Sequence, residues 1–268
     1  MKIAMRILNL TLIATLLLLP EAYALTPEEK GLEIALETDR RDTGWGDFRT
    51  NMTMTLYNKQ GESSIRSMKS SSLEGKDDGD KTIIVFDEPK DVKGTALLTF
   101  THKQGADDQW LYLPALKRVK RIASRNKSGP FVGSEYAYED LTSQEVEKYS
   151  YRYLRDEGCG DHAPELVCFV NERDPVDEYS GYTKQHVWVD QNEYRPQKID
   201  FYDRKGELLK TLTFYEYQQY LGQYWRAHRL MMVNHQTGKK TELKWEGYEF
   251  RTGLKDSDFN KNSLKRAR

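Results

Sequence analysis

"FRTNMTMTLYNKQGESSIRSMKSSSL", running from Phe48 to Leu73, decides the fold class. In its first half the even positions Phe48, Met52, Met54 and Leu56 are mostly apolar, while Arg49, Asn51, Thr53 and Thr55 between them are polar. Side chains alternate across a strand with period two, so this segment reads as a strand with one face toward a core. Asn58-Lys59-Gln60-Gly61 supplies turn chemistry, and Glu62 to Leu73 reads as the return strand. A connection that short makes the pair antiparallel.

The same pattern continues down the chain. Strands are expected at Thr82 to Phe86, Thr95 to Thr101, Gln109 to Leu113, Val119 to Ser124, Val146 to Arg155 and Leu166 to Asn171. Further strands follow at Thr183 to Asp190, Pro196 to Tyr202, Leu208 to Tyr217, Trp225 to Asn234 and Lys240 to Phe250. Polar turns such as Asp203-Arg204-Lys205-Gly206 separate most of them. One helix is expected, from Pro27 to Arg41. Thr26-Pro27-Glu28-Glu29 is a capping box with proline at the first helical position, and Leu32, Ala35 and Leu36 form an apolar stripe. No low-complexity linker divides the chain, so residues 25–268 are read as one domain. Hydrophobic residues make up 38% of the sequence, below the usual ~45–50%. Seventeen tyrosines compensate in part. So much sheet with so little oil points to a strongly bent antiparallel sheet with a helix covering one face, and leaves room for a ligand to complete the core.

The first residues set the expected compartment. Lys2 and Arg6 precede an apolar run from Ile7 to Leu19, Pro20 breaks it, and Ala22-Tyr23-Ala24 offers small residues at the cleavage positions. At roughly 13 residues the run is short for a membrane span, which needs about 20. Residues 1–24 therefore read as a signal peptide. No cysteine follows the run to take a lipid, so an unanchored periplasmic protein is expected. Cys159 and Cys168 are the only two cysteines. In an oxidising compartment they read as one disulfide stapling a hairpin near its tip. The chain has 41 basic and 42 acidic side chains. Such a balance gives no global field for nucleic acid, and no nucleic-acid partner is expected.

Charge is nonetheless concentrated in one place. "WLYLPALKRVKRIASRNKSGPFVGSEYAYEDL", from Trp110 to Leu141, carries Lys117, Arg118, Lys120, Arg121, Arg125 and Lys127 with no acid among them, and ends with Glu135, Glu139 and Asp140. Arg118 and Lys120 fall on one face of a strand, and Lys117, Val119 and Arg121 on the other. One reading is a solvated hairpin whose long stems lie along apolar surface. The other is a cationic rim beside an apolar cleft, matching a lipid's anionic head and greasy tail.

This block resembles the signature of the LolA-like outer-membrane lipoprotein-sorting proteins. The matching parts are "QWLYLPALKRVKRI", "FVGSEYAYEDL", the upstream "FDEPKDVKGTALL" and the terminal "GYEFRTGLKDSDF". The resemblance implies an incomplete barrel, one curved antiparallel sheet around a few helices with an apolar cavity for acyl chains. It implies a monomeric periplasmic carrier moving lipoproteins or other lipids toward an outer-membrane acceptor, with transient membrane-surface contact and an RND-type inner-membrane transporter as companion. No cofactor is implied. Trp110, Tyr112, Pro114, Arg118, Arg121, Phe131, Gly133, Ser134, Tyr136, Glu139 and Asp140 stand at the motif positions. Gly133 suits a turn with positive φ, and Glu139 and Asp140 are candidates to pair with Arg118 or Arg121. Met52, Met54, Leu56, Leu98, Phe100, Leu212 and Phe214 are candidate cavity lining.

Catalysis finds little support. Adjacent Glu139 and Asp140 would point apart on a strand, and His102, His162, His186, His228 and His235 show no metal spacing. Ser134 lacks a nucleophile elbow. Asp77-Asp78-Gly79-Asp80 lacks the downstream glutamate of a calcium loop and reads as a turn. A periplasmic hydrolase is therefore the weaker alternative, and a non-carrier envelope scaffold or accessory protein the stronger.

Overall fold

The computed structural model describes residues 24–266. The expected signal peptide falls outside the described residues, apart from its last position, Ala24. The first helix, α1 (Pro27–Arg41), begins at the expected capping box. The Thr26 side chain accepts from the Glu29 N–H at 3.1 Å, and the Glu29 carboxylate accepts from the Thr26 N–H at 2.9 Å.

Thirteen strands follow, all paired antiparallel in one sheet. The first six are β1 (Asp47–Tyr57), β2 (Ser63–Leu73), β3 (Lys81–Glu88), β4 (Ala96–Phe100), β5 (Asp108–Leu113) and β6 (Arg118–Ile122). The other seven are β7 (Tyr149–Gly158), β8 (Val167–Pro175), β9 (Tyr182–Asp190), β10 (Pro196–Asp203), β11 (Leu208–Tyr220), β12 (Tyr224–Asn234) and β13 (Lys240–Phe250). A short helix, α2 (Lys261–Arg266), ends the described chain. The spatial order is β6-β5-β4-β3-β2-β1-β13-β12-β11-β10-β9-β8-β7. Every neighbour is also a sequence neighbour except β1 and β13, which pair from Phe48 opposite Phe250 to Tyr57 opposite Lys240. The strands therefore start in the middle of the sheet, meander out to the β6 edge, and restart at the β7 edge to meander back.

That topology forces residues 123–148 to travel from one edge of the sheet to the other. They do so as a series of single 3₁₀ turns, crossing the inner, concave face. Inward residues of both halves of the sheet, among them Met54, Phe86, Leu97, Phe201, Leu212 and Met232, form one buried cluster with Phe131 and Tyr136 of the crossing segment and Ile34 of α1. The guest expected to complete the core is thus replaced by the chain's own crossing segment. The outer face carries two smaller clusters. One packs Leu254, Phe259 and Leu264 of the C-terminal tail on Ala96, Leu98 and Trp110. The other surrounds the Cys159–Cys168 disulfide, which forms as expected across the β7–β8 hairpin.

The two sheet edges are treated differently. α1 packs against β7 so closely that a Cβ on Gly31 would lie 2.7 Å from the Tyr153 backbone nitrogen. Asn171 on β8 donates from Nδ2 to the Gly31 carbonyl at 2.8 Å, and the Lys30 ammonium lies 3.5 Å from the centre of the Tyr153 ring. β6, short and cationic, is the opposite edge, and such charge discourages unwanted strand addition.

Candidate functional site: the crossing segment and the face it covers

The signature block divides into two devices. The first is a tight loop at 130–137. Phe131 N–H donates to the Tyr136 carbonyl at 2.7 Å and Tyr138 N–H to the Gly129 carbonyl at 3.1 Å, while Pro130 and Ala137 form a bridge. Gly133 has the expected positive φ of 76°, and Val132 before it has φ 45°. A β-branched residue there is strained, and such strain persists only where surroundings enforce it. Arg66 on β2 is part of that enforcement, donating from Nη1 to the Val132 carbonyl. Ser134 Oγ accepts from the Tyr136 N–H at 3.2 Å, so its role is turn closure. The loop drives Phe131 into the concave face, 5.7 Å from the Phe86 ring and 5.8 Å from Tyr138.

Polar contacts lock this loop to the sheet. The Lys210 ammonium on β11 meets the Asp140 carboxylate at 2.5 Å and donates to the Glu135 carbonyl at 2.9 Å. Both side chains are nearly inaccessible, at 4% and 3% exposure. Asp140 also accepts from Tyr182 Oη at 2.7 Å and from the Ala137 N–H at 2.6 Å. Glu139 accepts from Ser180 Oγ at 2.8 Å and from the Gly181 N–H at 2.9 Å, and burial pushes its carboxyl pKa up. Gln109 donates to the Tyr138 carbonyl at 2.9 Å, and Asn234 to the Glu135 carboxylate at 2.7 Å. Glu139 and Asp140 therefore do not pair with Arg118 or Arg121. Glu139 turns to the loop just before β9 and Asp140 to β9 and β11, because their 3₁₀ turn, Tyr138–Leu141, lies against that half of the sheet. Tyr136 Oη, buried without a hydrogen-bond partner among the described residues, has its pKa raised well above the usual tyrosine value by burial.

The second device is the belt on β6. Lys120 lies opposite Leu111, an inner-face residue, and Arg121 lies opposite Trp110, an outer-face one. Arg118 and Lys120 thus rim the concave side, as the alternation implied. Arg121 turns away to Asp108 at 2.5 Å, and Lys127 pairs with Asp177 at 2.6 Å. Lys117, Arg118, Lys120 and Arg125 form no ion pair among the described residues, and Leu116 beside them is 61% exposed. Pro114 opens the 3₁₀ turn that leads into this strand.

The seven candidate lining residues do not share a face. Met52, Met54 and Leu212 are buried in the inner cluster, with Leu56 and Phe214 packed partly exposed against it. Leu98 and Phe100 lie on the outer face, with Trp110 and Tyr112. Two cavities stand out. One of about 450 Å³ lies between the crossing segment and β9–β11, lined by polar groups including Ser128, Arg204, Lys205 and Lys210. The other, about 430 Å³, lies on the outer face between Leu98, Phe100, Trp110 and Phe259.

Lys210, Tyr182 and Asn234, which hold the loop, lie outside the signature block, and Gln109 at its start is not among the motif positions singled out. Lys210 carried a signal, because it falls in register with inward Leu212 and Phe214 and is a charge on an apolar stripe. A further group is Glu145, 8% exposed, whose pKa is pushed up to about 7 by burial and by Asp80 and Asp39.

A family model described as "-like: Uncharacterized protein" matches residues 78–266. No curated protein matches the chain in sequence. Among solved structures, a Vibrio parahaemolyticus domain named for outer membrane lipoprotein sorting is 61% identical, with a TM-score of 0.86. The match covers 89% of this chain and 100% of that one. A DUF1329 family protein from Desulfovibrio piger is 29% identical over 90% of this chain and 100% of its own, with a TM-score of 0.82. A LolA superfamily protein from Nitrosomonas europaea shares the fold at 23% identity and a TM-score of 0.69, over 90% and 100% of the two chains.

Proposed function

The chain belongs to the outer-membrane lipoprotein-sorting protein family, and from that membership we propose that it is a periplasmic carrier, a single domain at 25–268 that shelters acyl chains of lipoproteins or other lipids on its concave face. One observation carries the reading. The apolar inner face is closed by a segment of short turns held through side-chain locks, rather than by a strand in the ladder. Such a cover can leave without unpairing the sheet.

Burying about ten methylenes of a guest chain returns roughly 8 kcal/mol, of the same order as the burial that Phe131, Tyr136 and Tyr138 lose on swinging out, and Lys210 and Asp140 regain water as they separate. The wall beneath suits a guest of variable shape, because Met52, Met54, Met68 and Met232 all lie in the inner cluster, and methionine repacks around irregular partners. Displaced Phe131, Tyr136 and Tyr138 would make way for the chain. The belt on β6, with Arg118 and Lys120 at the rim of this face, would meet an anionic bilayer or the acidic face of an RND-type inner-membrane transporter. An outer-membrane acceptor would receive the cargo. The Cys159–Cys168 disulfide fits an oxidising periplasm. The role is that of a carrier, without catalysis, acting as a monomer.

The filled interior favours a second reading, an envelope scaffold that never opens. Lipid extraction and native mass spectrometry of protein secreted by a membrane-containing host separate the two. A carrier retains lipids of acyl-chain mass at substoichiometric levels or above. Protein that stays lipid-free after incubation with lipid vesicles and lipopeptide would leave the scaffold.

A further inference from the structure

The C-terminal tail builds an apolar site on the face of the sheet that the crossing segment never touches. After β13 the chain is pinned by the Asp47 carboxylate, which accepts from the Thr252 N–H at 2.7 Å and the Thr252 hydroxyl at 2.6 Å. It then runs back over β4 and β5, burying Leu254, Phe259 and Leu264 against Ala96, Leu98 and Trp110. The tail does not seal. A cavity of about 430 Å³ remains between Phe259, Leu98, Phe100 and Trp110, rimmed by Asn260, Lys261 and Asn262.

The rim charge is specific. The Lys261 ammonium sits 4.7 Å from the centre of the Trp110 ring, and the Lys81 ammonium 5.3 Å from that of Phe100. Lys81 is neutralised by Asp256 at 2.6 Å. Lys261 has no carboxylate partner among the described residues. An aromatic face holds a cation in place without cancelling its charge, so the pocket presents hydrocarbon walls with one uncompensated ammonium at the mouth. Its size lies in the range of small-molecule sites, roughly 300–1,000 Å³.

We propose that the pocket between Phe259, Leu98, Phe100 and Trp110 binds a single-chain anionic amphiphile, its hydrocarbon against the aromatic walls and its carboxylate or phosphate head on Lys261. The site goes beyond the concave carrier face and stands or falls separately from it. A fatty acid and a lysophospholipid share this chemistry, and the test distinguishes them.

Two of the five tryptophans report on the two faces of the sheet. Trp110 lines the outer pocket, whereas Trp245 packs against the inner cluster. Full-length protein is titrated with doxyl-labelled stearate and, separately, doxyl-labelled lysophosphatidylglycerol, and tryptophan quenching is followed in wild type, Trp110→Phe, Trp245→Phe and Lys261→Glu. The expected result is saturable quenching by at least one probe, reversed by unlabelled amphiphile, absent in Trp110→Phe and retained in Trp245→Phe. Lys261→Glu, at an exposed position that leaves folding intact, should weaken binding about tenfold or more. The probe that quenches identifies the head. Quenching lost with Trp245 and retained without Trp110 overturns the outer site while supporting the concave one, and quenching unaltered by Lys261→Glu removes the anionic head from the proposal. No saturable quenching by either probe refutes the outer site.

Discussion

Replacing Lys210 by methionine should open the crossing segment without unfolding the sheet. Lys210 and Asp140 meet at 2.5 Å with almost no exposure. Lys210→Met keeps the length and apolar stem of the side chain but removes its charge. Asp140 then keeps only the Tyr182 hydroxyl and the Ala137 N–H as partners, and the Glu135 carbonyl loses its donor. An unpaired buried carboxylate costs about 3–5 kcal/mol. That cost falls on the closed arrangement alone, because both groups are solvated once the segment swings out. The opening equilibrium should therefore rise by about two to four orders of magnitude. Hydrogen exchange followed by mass spectrometry reads this directly. Peptides covering 129–141 should lose protection by that factor, while peptides from β1 and β2 keep theirs. Equal loss in both regions would mean that the segment opens only when the whole sheet unfolds. Unchanged protection at 129–141 in a folded variant would show that the pair does not hold the cover.

Other perturbations test the supporting structure. Gly31→Ala puts a Cβ 2.7 Å from the Tyr153 nitrogen and should lower stability by about 1–3 kcal/mol in denaturant titration, as overpacking does. Reducing Cys159–Cys168, which closes a loop of sequence separation 9, should cost about 2–3 kcal/mol by loop entropy, read as a lower Tm in reductant. Glu145, with its pKa pushed up from 4.5 to about 7, holds its proton more tightly folded than unfolded. Its contribution is complete below 4.5 and is lost as pH rises through about 7. Glu145→Gln should flatten that part of the fall in Tm, and an unchanged difference between wild type and variant across the window would exclude it. Arg118→Glu with Lys120→Glu should weaken binding to anionic vesicles in a salt-dependent way. Equal vesicle binding by the folded double variant would remove the belt from the mechanism.

The sheet was legible because alternation repeats in nearly every segment, from Met52 and Met54 to Leu212 and Phe214, and the Thr26 capping box announced α1. Strand pairing was less so. Nothing local says that Phe48 will lie opposite Phe250, since that contact closes the chain on itself over its whole length. The signature block was legible as special but not in its role. Its inward carboxylates find partners in the loop before β9, on β9 and on β11, about 40 to 70 residues away in sequence, and a nearby arginine is the only partner a local reading offers. Leu98 and Phe100 show the limit of patterning. Period two tells that alternate residues share a face, yet not which face is concave, so alternation alone groups these two with Met54 although the sheet separates them. The filled interior was hidden for a related reason. A low hydrophobic fraction measures how much oil the chain has, and residues 123–148 decide where it goes.

Photo-crosslinking with a diacylated lipopeptide bearing a diazirine near the chain ends, mapped by mass spectrometry, asks where the hydrocarbon sits. The expected adducts fall on Met52, Met54, Leu212 and Met232 of the concave face and increase in Lys210→Met. An absence of adducts there in both proteins, or labelling confined to the outer pocket at Trp110 and Phe259, would contradict carriage of acyl chains beneath the crossing segment.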